Sequence, residues 1–291
     1  MRRLAGLILV LIGFVILAAT LLANVSNYVP GIASSNKHLE ETLQEADSIQ
    51  INALSSDVTI QTHDKDTVSI ETSARNKDND VKITQDSHAV KITQPKQHWF
   101  SFFTLGENSN WVVTIPEAFK GRLSIHGGSS DFRFENEQEK RYKSIQTDIA
   151  SGDTYMTNIK TEEIDLSAKS GNLTLNDVQT DKAAVETISG NININDYTGP
   201  LTANVTSGNI NVQWKEIKND VRMNVTSGDV DLQVGQENVR LCVSVVSGDI
   251  RNDVALDTIE QSGNRSLKGT KGAGDVLIHL KSVSGNLYIK E

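Results

Sequence analysis

The sequence predicts an all-β chain, a parallel β-solenoid (β-helix) with rungs of about 19 residues, carried behind one N-terminal transmembrane helix. Three observations predict it. Ser-Gly-Asp or Ser-Gly-Asn recurs at Ser151, Ser170, Ser189, Ser207, Ser227, Ser247 and Ser284, at spacings of 19, 19, 18, 20, 20 and 37 residues. Apolar residues alternate before each copy and resume three places after it, so the chain turns a corner and keeps one buried face. Finally, residues 4–23 carry no charge.

The uncharged run, LAGLILVLIGFVILAATLLA, comes first. At about 1.5 Å rise per residue it matches a bilayer core of roughly 30 Å. A cleaved signal has a shorter apolar region, about 7 to 15 residues, and a small-x-small end, which Leu21 and Ala23 fit poorly. Residues 4–24 are therefore expected to be an uncleaved span. Arg2 and Arg3 precede it and no basic cluster follows, which keeps a stub of residues 1–3 in the cytoplasm and puts the rest outside. The expected location is the cell membrane, single-pass, with an extracellular C-terminal domain. So short a stub leaves no room for an internal output module.

Residues 25–46 follow, with Pro30-Gly31, Ser34-Ser35 and the acidic run HLEETLQEAD, and read as a linker with room for one helical turn. Residues 47–122 read as irregular membrane-proximal strands and a cap, continuous with the regular solenoid of 123–291. Ile49, Ile51, Ala53 and Ser55 lead to Val58 and Ile60 in a first, degenerate copy of the repeat. Within the insert 63–116, strands are expected at Val68–Thr72, Val81–Thr84, Val90–Thr93 and Trp111–Ile115. An open solenoid end exposes backbone and core, so a cap is expected there.

In the regular region Val221, Met223, Val225 and Ser227 lead to Val230 and Leu232, and Val239, Leu241, Val243, Val245 and Ser247 lead to Ile250. The 37-residue gap implies a degenerate rung within Arg251–Asp275. Ser262-Gly263-Asn264 breaks the alternation, because Ile259 has the wrong parity, and is not expected to be a corner. Propeller blades need roughly forty residues and leucine-rich repeats their own core pattern, so neither fits.

Composition narrows the function. Against 28 Lys and Arg stand 37 Asp and Glu, a net charge of −9 with no basic stripe, which excludes nucleic acid as an expected partner. Cys242 is the only cysteine, so there is no intrachain disulfide or multi-Cys metal site; its parity points it away from the core.

The strand, Ser-Gly-Asp/Asn, strand units, with a strand ending in Ile115-Pro116 ahead of the regular rungs, resemble a bacterial adhesin-like β-strand-repeat family of unknown function. The likeness covers about Asp47–Glu291. A short anchor with such an ectodomain is most similar to members encoded with a cell-envelope stress system. The resemblance implies an envelope location and a link to envelope stress; it implies no catalytic or ligand residues.

Candidate chemistry is sparse. Trp99, Phe100, Phe102 and Phe103 crowd one loop, QHWFSFFTL, which either meets the outer leaflet or a partner, or plugs the solenoid end. Asp57, Asp131, Asp153, Asp229 and Asp249 share the corner position, where stacked carboxylates could hold Ca²⁺; Asn172, Asn191 and Asn209 interrupt them, and no metal is expected. Residues 263–274, GNRSLKGTKGAG, carry Arg265, Lys268 and Lys271, candidates for contact with an anionic polymer, and miss the phosphate-loop pattern. His126 and His279 fall on outward positions, no His cluster suggests zinc, and no cofactor is expected. The expected function is a non-enzymatic, membrane-anchored module that binds or scaffolds envelope components, with the cell membrane, a cell-wall polymer or a membrane protein as partner. The alternative is a polysaccharide-acting β-helix enzyme, which needs paired carboxylates on neighbouring rungs. End-to-end polymerisation is a third route, disfavoured by a covered distal end.

Overall fold

The computed structural model describes residues 35–43, 46–74, 81–86, 88–94, 109–136, 140–235 and 238–291. The expected transmembrane helix, its stub and the loop with Trp99, Phe100, Phe102 and Phe103 lie outside them. Among the described residues there is no helix, and the strands join into one continuous sheet. They begin with β1 (Ser35–Thr42), β2 (Ser48–Ala53), β3 (Ser56–His63), β4 (Thr67–Ala74), β5 (Lys82–Gln85), β6 (Ala89–Thr93), β7 (Ser109–Pro116), β8 (Arg122–Ser129) and β9 (Phe132–Glu135). Next come β10 (Arg141–Ser151), β11 (Thr154–Ser170), β12 (Leu173–Ser189), β13 (Ile192–Thr198), β14 (Leu201–Ser207), β15 (Ile210–Glu216), β16 (Val221–Ser227) and β17 (Val230–Gln233). The chain ends with β18 (Val239–Ser247), β19 (Ile250–Asn252), β20 (Thr258–Ser262), β21 (Ser266–Thr270), β22 (Val276–Ser284) and β23 (Leu287–Lys290).

Alternation decides which side of each strand is inside. In β16, Val221, Met223 and Val225 are buried while Arg222 and Asn224 face out; in β18 Val239, Leu241, Val243 and Val245 are buried. After each corner the burial resumes three places on, at Ile210, Val230 and Leu287. The corner serines themselves are exposed, not turned inward as strict parity would have it. The bend rotates them out, and their carbonyls accept the glycine N–H of the preceding rung, as Ser227 does from Gly208 at 3.0 Å. β11 and β12 bend again at Asn158 and Asp177, which adopt left-handed backbone with φ of 59° and 49°, a conformation Asn and Asp tolerate.

Parallel pairing stacks two-armed rungs, but not in chain order. The rung β2–β3 lies between β6–β7 and β8–β9. From β8–β9 the stack runs in order through β10, β11, β12 and β13 to β14–β15 and β16–β17. Then β22–β23 intervenes, and β18–β19 comes last. Both the first and the last rung of the chain are thus interior rungs of the stack. Where a degenerate rung was expected in Arg251–Asp275, the chain forms an antiparallel hairpin, β20–β21, laid on β18. Gly263 at its tip has φ of 55°, against 133–150° at the Ser-Gly-Asx corners, so this tripeptide is a hairpin turn and not a corner.

The N-terminal end is also closed by antiparallel strands. β5 pairs with β6 and β4 with β7, close to the four strands expected in the insert. β1 pairs with β4, so Ser35–Thr42, within the segment read as a linker, is a strand. Gln94 stands in for a corner here: its buried side-chain carbonyl accepts the N–H groups of Leu54 and Ser55 at 2.9 and 3.1 Å. The core at this end is aromatic, with Trp111, Phe119, Phe132, Phe134 and Tyr142 buried; Tyr142 meets Phe134 edge-on at 5.5 Å, and burial pushes its hydroxyl up to about 12.

Candidate functional surfaces

Three outer features carry chemistry. The first is the corner edge. Each Asx side chain there accepts the backbone N–H of the Asx on the next rung: Asp57 from Asp131, Asp131 from Asp153, Asp153 from Asn172, and so on through Asn191, Asn209, Asp229 and Asn286 to Asp249, at 2.6–3.3 Å. A rung spacing of about 4.8 Å lets an Asx oxygen reach the next amide. The carboxylates that might have gathered a cation are thus spread along a structural ladder. Among the described residues no group of three His, Cys, Asp or Glu is placed to hold a metal.

The second feature is acidic. On the outward side of the long strands Glu163 pairs with Lys182, and Asp165 stands beside Glu163 with Glu186 on the neighbouring rung. Asp165 is held above the usual carboxylate range, first by partial desolvation and then by the charges of Glu163 and Glu186, with Lys182 opposing. No spacing motif in the sequence marks this trio; only the rung register brings it together.

The third lies on the distal outward face. Arg222 of β16, His279 of β22, Cys242 of β18, Lys268 of β21 and Glu260 of β20 lie abreast in one row. Arg240 and Lys281 flank that row on β18 and β22. Cys242 and His279 are half-buried, and His126 and Lys268 are exposed, in keeping with their outward parity. A recess of about 580 Å³ opens here, lined by residues that include Arg240, Cys242, Glu260, Lys268, Thr270 and Leu277.

Of the three cations singled out in the glycine-rich segment, only Lys268 belongs to this face. Arg265 sits exposed at the hairpin tip. Lys271 is turned toward the chain end, donating to the Glu291 carboxylate and to the Gly235 carbonyl. Arg222, Arg240 and Lys281 went unnoticed in sequence because they come from strands up to sixty residues apart; outward parity marks each, and nothing in the sequence marks their adjacency.

Comparison with known proteins adds a family. The model of the family described as Toastrack DUF4097 matches residues 46–290. Among solved structures, a candidate adhesin from Parabacteroides distasonis is 11% identical and covers 88% of this chain and 97% of its own, with a TM-score of 0.47. One from Bacteroides fragilis is 9% identical with coverages of 88% and 98% and a TM-score of 0.42. A candidate cell adhesion protein from Clostridium sporogenes is 11% identical, with 88% and 99% and a TM-score of 0.31. No curated protein matches the chain.

Proposed function

Since the chain belongs to the Toastrack DUF4097 family, we propose that it is a non-enzymatic, membrane-anchored extracytoplasmic solenoid that binds or scaffolds cell-envelope components or a membrane partner. The observation that supports this reading is repetition on the outside. Asn195 donates to Asn176, Asn211 to Asn193 and Asn224 to Asn204, each at 2.9 Å, so like stacks on like along the rod. Such a face offers an extended partner the same contact many times and suits binding better than a single reaction centre. The uncharged run of residues 4–23 supplies the anchor in this reading. A short stub, one apolar span and this rod together resemble LiaG, the membrane-anchored protein of the Lia cell-envelope stress system, and the reading extends to a role in that response.

One observation favours a second reading. Asp165 and Glu186 are carboxylates on neighbouring rungs, and the Asp165 carboxyl is shifted upward, first by partial desolvation, the direction a general acid for glycoside cleavage needs. A single experiment separates the two. The full chain in a neutral detergent is incubated with purified bacterial sacculi, which are then pelleted and the supernatant assayed for reducing ends. Co-pelleting without release supports the binding module; release that disappears in D165N and E186Q supports the enzyme; neither outcome moves the partner to a membrane protein, to be found by crosslinking in cells. Location has its own test, because Cys242 is the sole cysteine and half-exposed. A membrane-impermeant maleimide added to intact cells is expected to label it, and labelling only after lysis would put the rod in the cytoplasm.

A further inference from the structure

We propose that the outer face of β16, β22, β18 and β21 binds a linear polyanion, a chain carrying phosphodiester or carboxylate groups, through Arg222, Arg240, Lys268 and Lys281. The proposal rests on the envelope-binding reading and names its ligand class. All four cations are exposed. Among the described residues none of the four belongs to an ion pair, although Lys182, Lys215, Lys218, Lys271 and Lys290 all do. On a chain of net charge −9 with 37 acidic residues, four neighbouring cations outside any ion pair are a local inversion of the molecule's charge.

Three acids border the face and only partly offset it: Asp220, which accepts the Leu277 N–H at 2.8 Å, Glu186, which accepts from Asn204 at 3.2 Å, and Glu260 at the far end of the row, opposite Lys268. His279, at the centre, registers the field: its pKa is lowered, first by partial burial and then by Lys281 and Arg222. Like charges on adjacent strands repel and weaken the sheet, so the arrangement gives up folding stability for a positive potential directed at solvent.

Shape selects among anionic partners. Arg222 and Lys268 are separated by three strand spacings, roughly 14 Å. That span takes several charges of one chain, more than a single phosphate offers. The recess beside Arg240 and Lys268 admits a thin polymer, whereas a flat bilayer would rest on its rim. The rest of the rod is acidic on balance and would oppose an extended anionic sheet more than a narrow chain that touches this face alone.

The test uses the full chain in a neutral detergent, with fluorescently labelled polyphosphate as probe and anisotropy as readout. Wild type is expected to bind with an affinity falling on a log–log salt plot with a slope of roughly −3, at about 0.7 per cation engaged. R222Q/R240Q/K268Q/K281Q, with its fold checked by circular dichroism, is expected to lose tenfold or more, while K120Q/K143Q on distant rungs binds as wild type. Orthophosphate is expected to compete only weakly. Equal binding by the quadruple variant, or stronger competition by phosphatidylglycerol mixed micelles than by unlabelled polyphosphate at equal phosphate, overturns the proposal. Wild type that pellets with sacculi but ignores polyphosphate overturns this assignment alone; wild type that binds polyphosphate but pellets with no envelope fraction overturns the envelope reading and leaves this face standing.

Discussion

At the level of single residues the corner tripeptide is a division of labour. Serine offers its carbonyl to the glycine of the rung before, glycine allows the close approach, and the Asx oxygen takes the amide of the rung after. Gly228 has φ of 142°, and a Cβ there would lie 1.8 Å from the Gly208 carbonyl oxygen, so no side chain fits. Gly228→Val is expected to lower the stability of the rod by about 3 kcal/mol, read from urea unfolding of the full chain in detergent; an unchanged midpoint would disprove the corner. Asn191 gives a finer probe, since its Oδ1 accepts the Asn209 N–H at 2.9 Å. Asn191→Ala removes the acceptor from that exposed amide and is expected to cost about 1 kcal/mol, whereas Asn191→Asp keeps the acceptor, loses only the Nδ2 bond to Asn172 and is expected to cost less. Equal losses in the two would show that the ladder bond contributes nothing. These roles were legible in the tripeptide, except that parity placed the serines inside; the geometry of the bend, which no periodicity encodes, turns them out.

Among the elements, the strands were legible wherever burial alternates. β4, β5, β6 and β7 fall near their expected positions because each carries its own apolar face. The β20–β21 hairpin was not, and the reason is physical. All five residues of β20 are exposed, so it carries no burial signal, and β21 buries only Leu267 and Gly269. Its role is to cover the open edge of β18, where Leu241 and Val243 face Gly269 and Leu267 in register. An uncovered edge strand is a template for pairing with another chain. Replacing residues 254–273 by a short Gly-Ser turn is therefore expected to leave the strand content nearly intact by circular dichroism and to cause concentration-dependent self-association in sedimentation velocity. A variant that stays monomeric would mean that the hairpin is not the distal cap.

Across the whole molecule, the content of the rungs could be read from the sequence and their order could not. Ser227, Ser284 and Ser247 align in successive rungs, so β16, β22 and β18 present the same ladder, and any of the three orders satisfies parity equally well. A solenoid whose last repeat is terminal loses one interface when that repeat is cut away. Here β22 and β23 hold a rung on either side, and their loss opens two. Truncation after Asp275 is expected to remove hydrogen-exchange protection from Val221–Gln233 and Val239–Asn252 together, while β11 and β12 keep theirs. Protection lost from Val239–Asn252 alone would place β22–β23 outside the stack.

The interior position of β22–β23 also sets a timetable. β22 and β23 are made after both their neighbours yet fill a slot between them, and until they arrive β18 can settle on β16, whose corner serine aligns in the same ladder. Assembly cannot simply add rungs in the order of translation. The distal part of the rod becomes native only when β22 and β23 have emerged and the early neighbours part again, a late step governed by contacts between distant segments, which close slowly. A rod that inserts later strands between earlier ones thus stays incompletely zipped until those strands have been made.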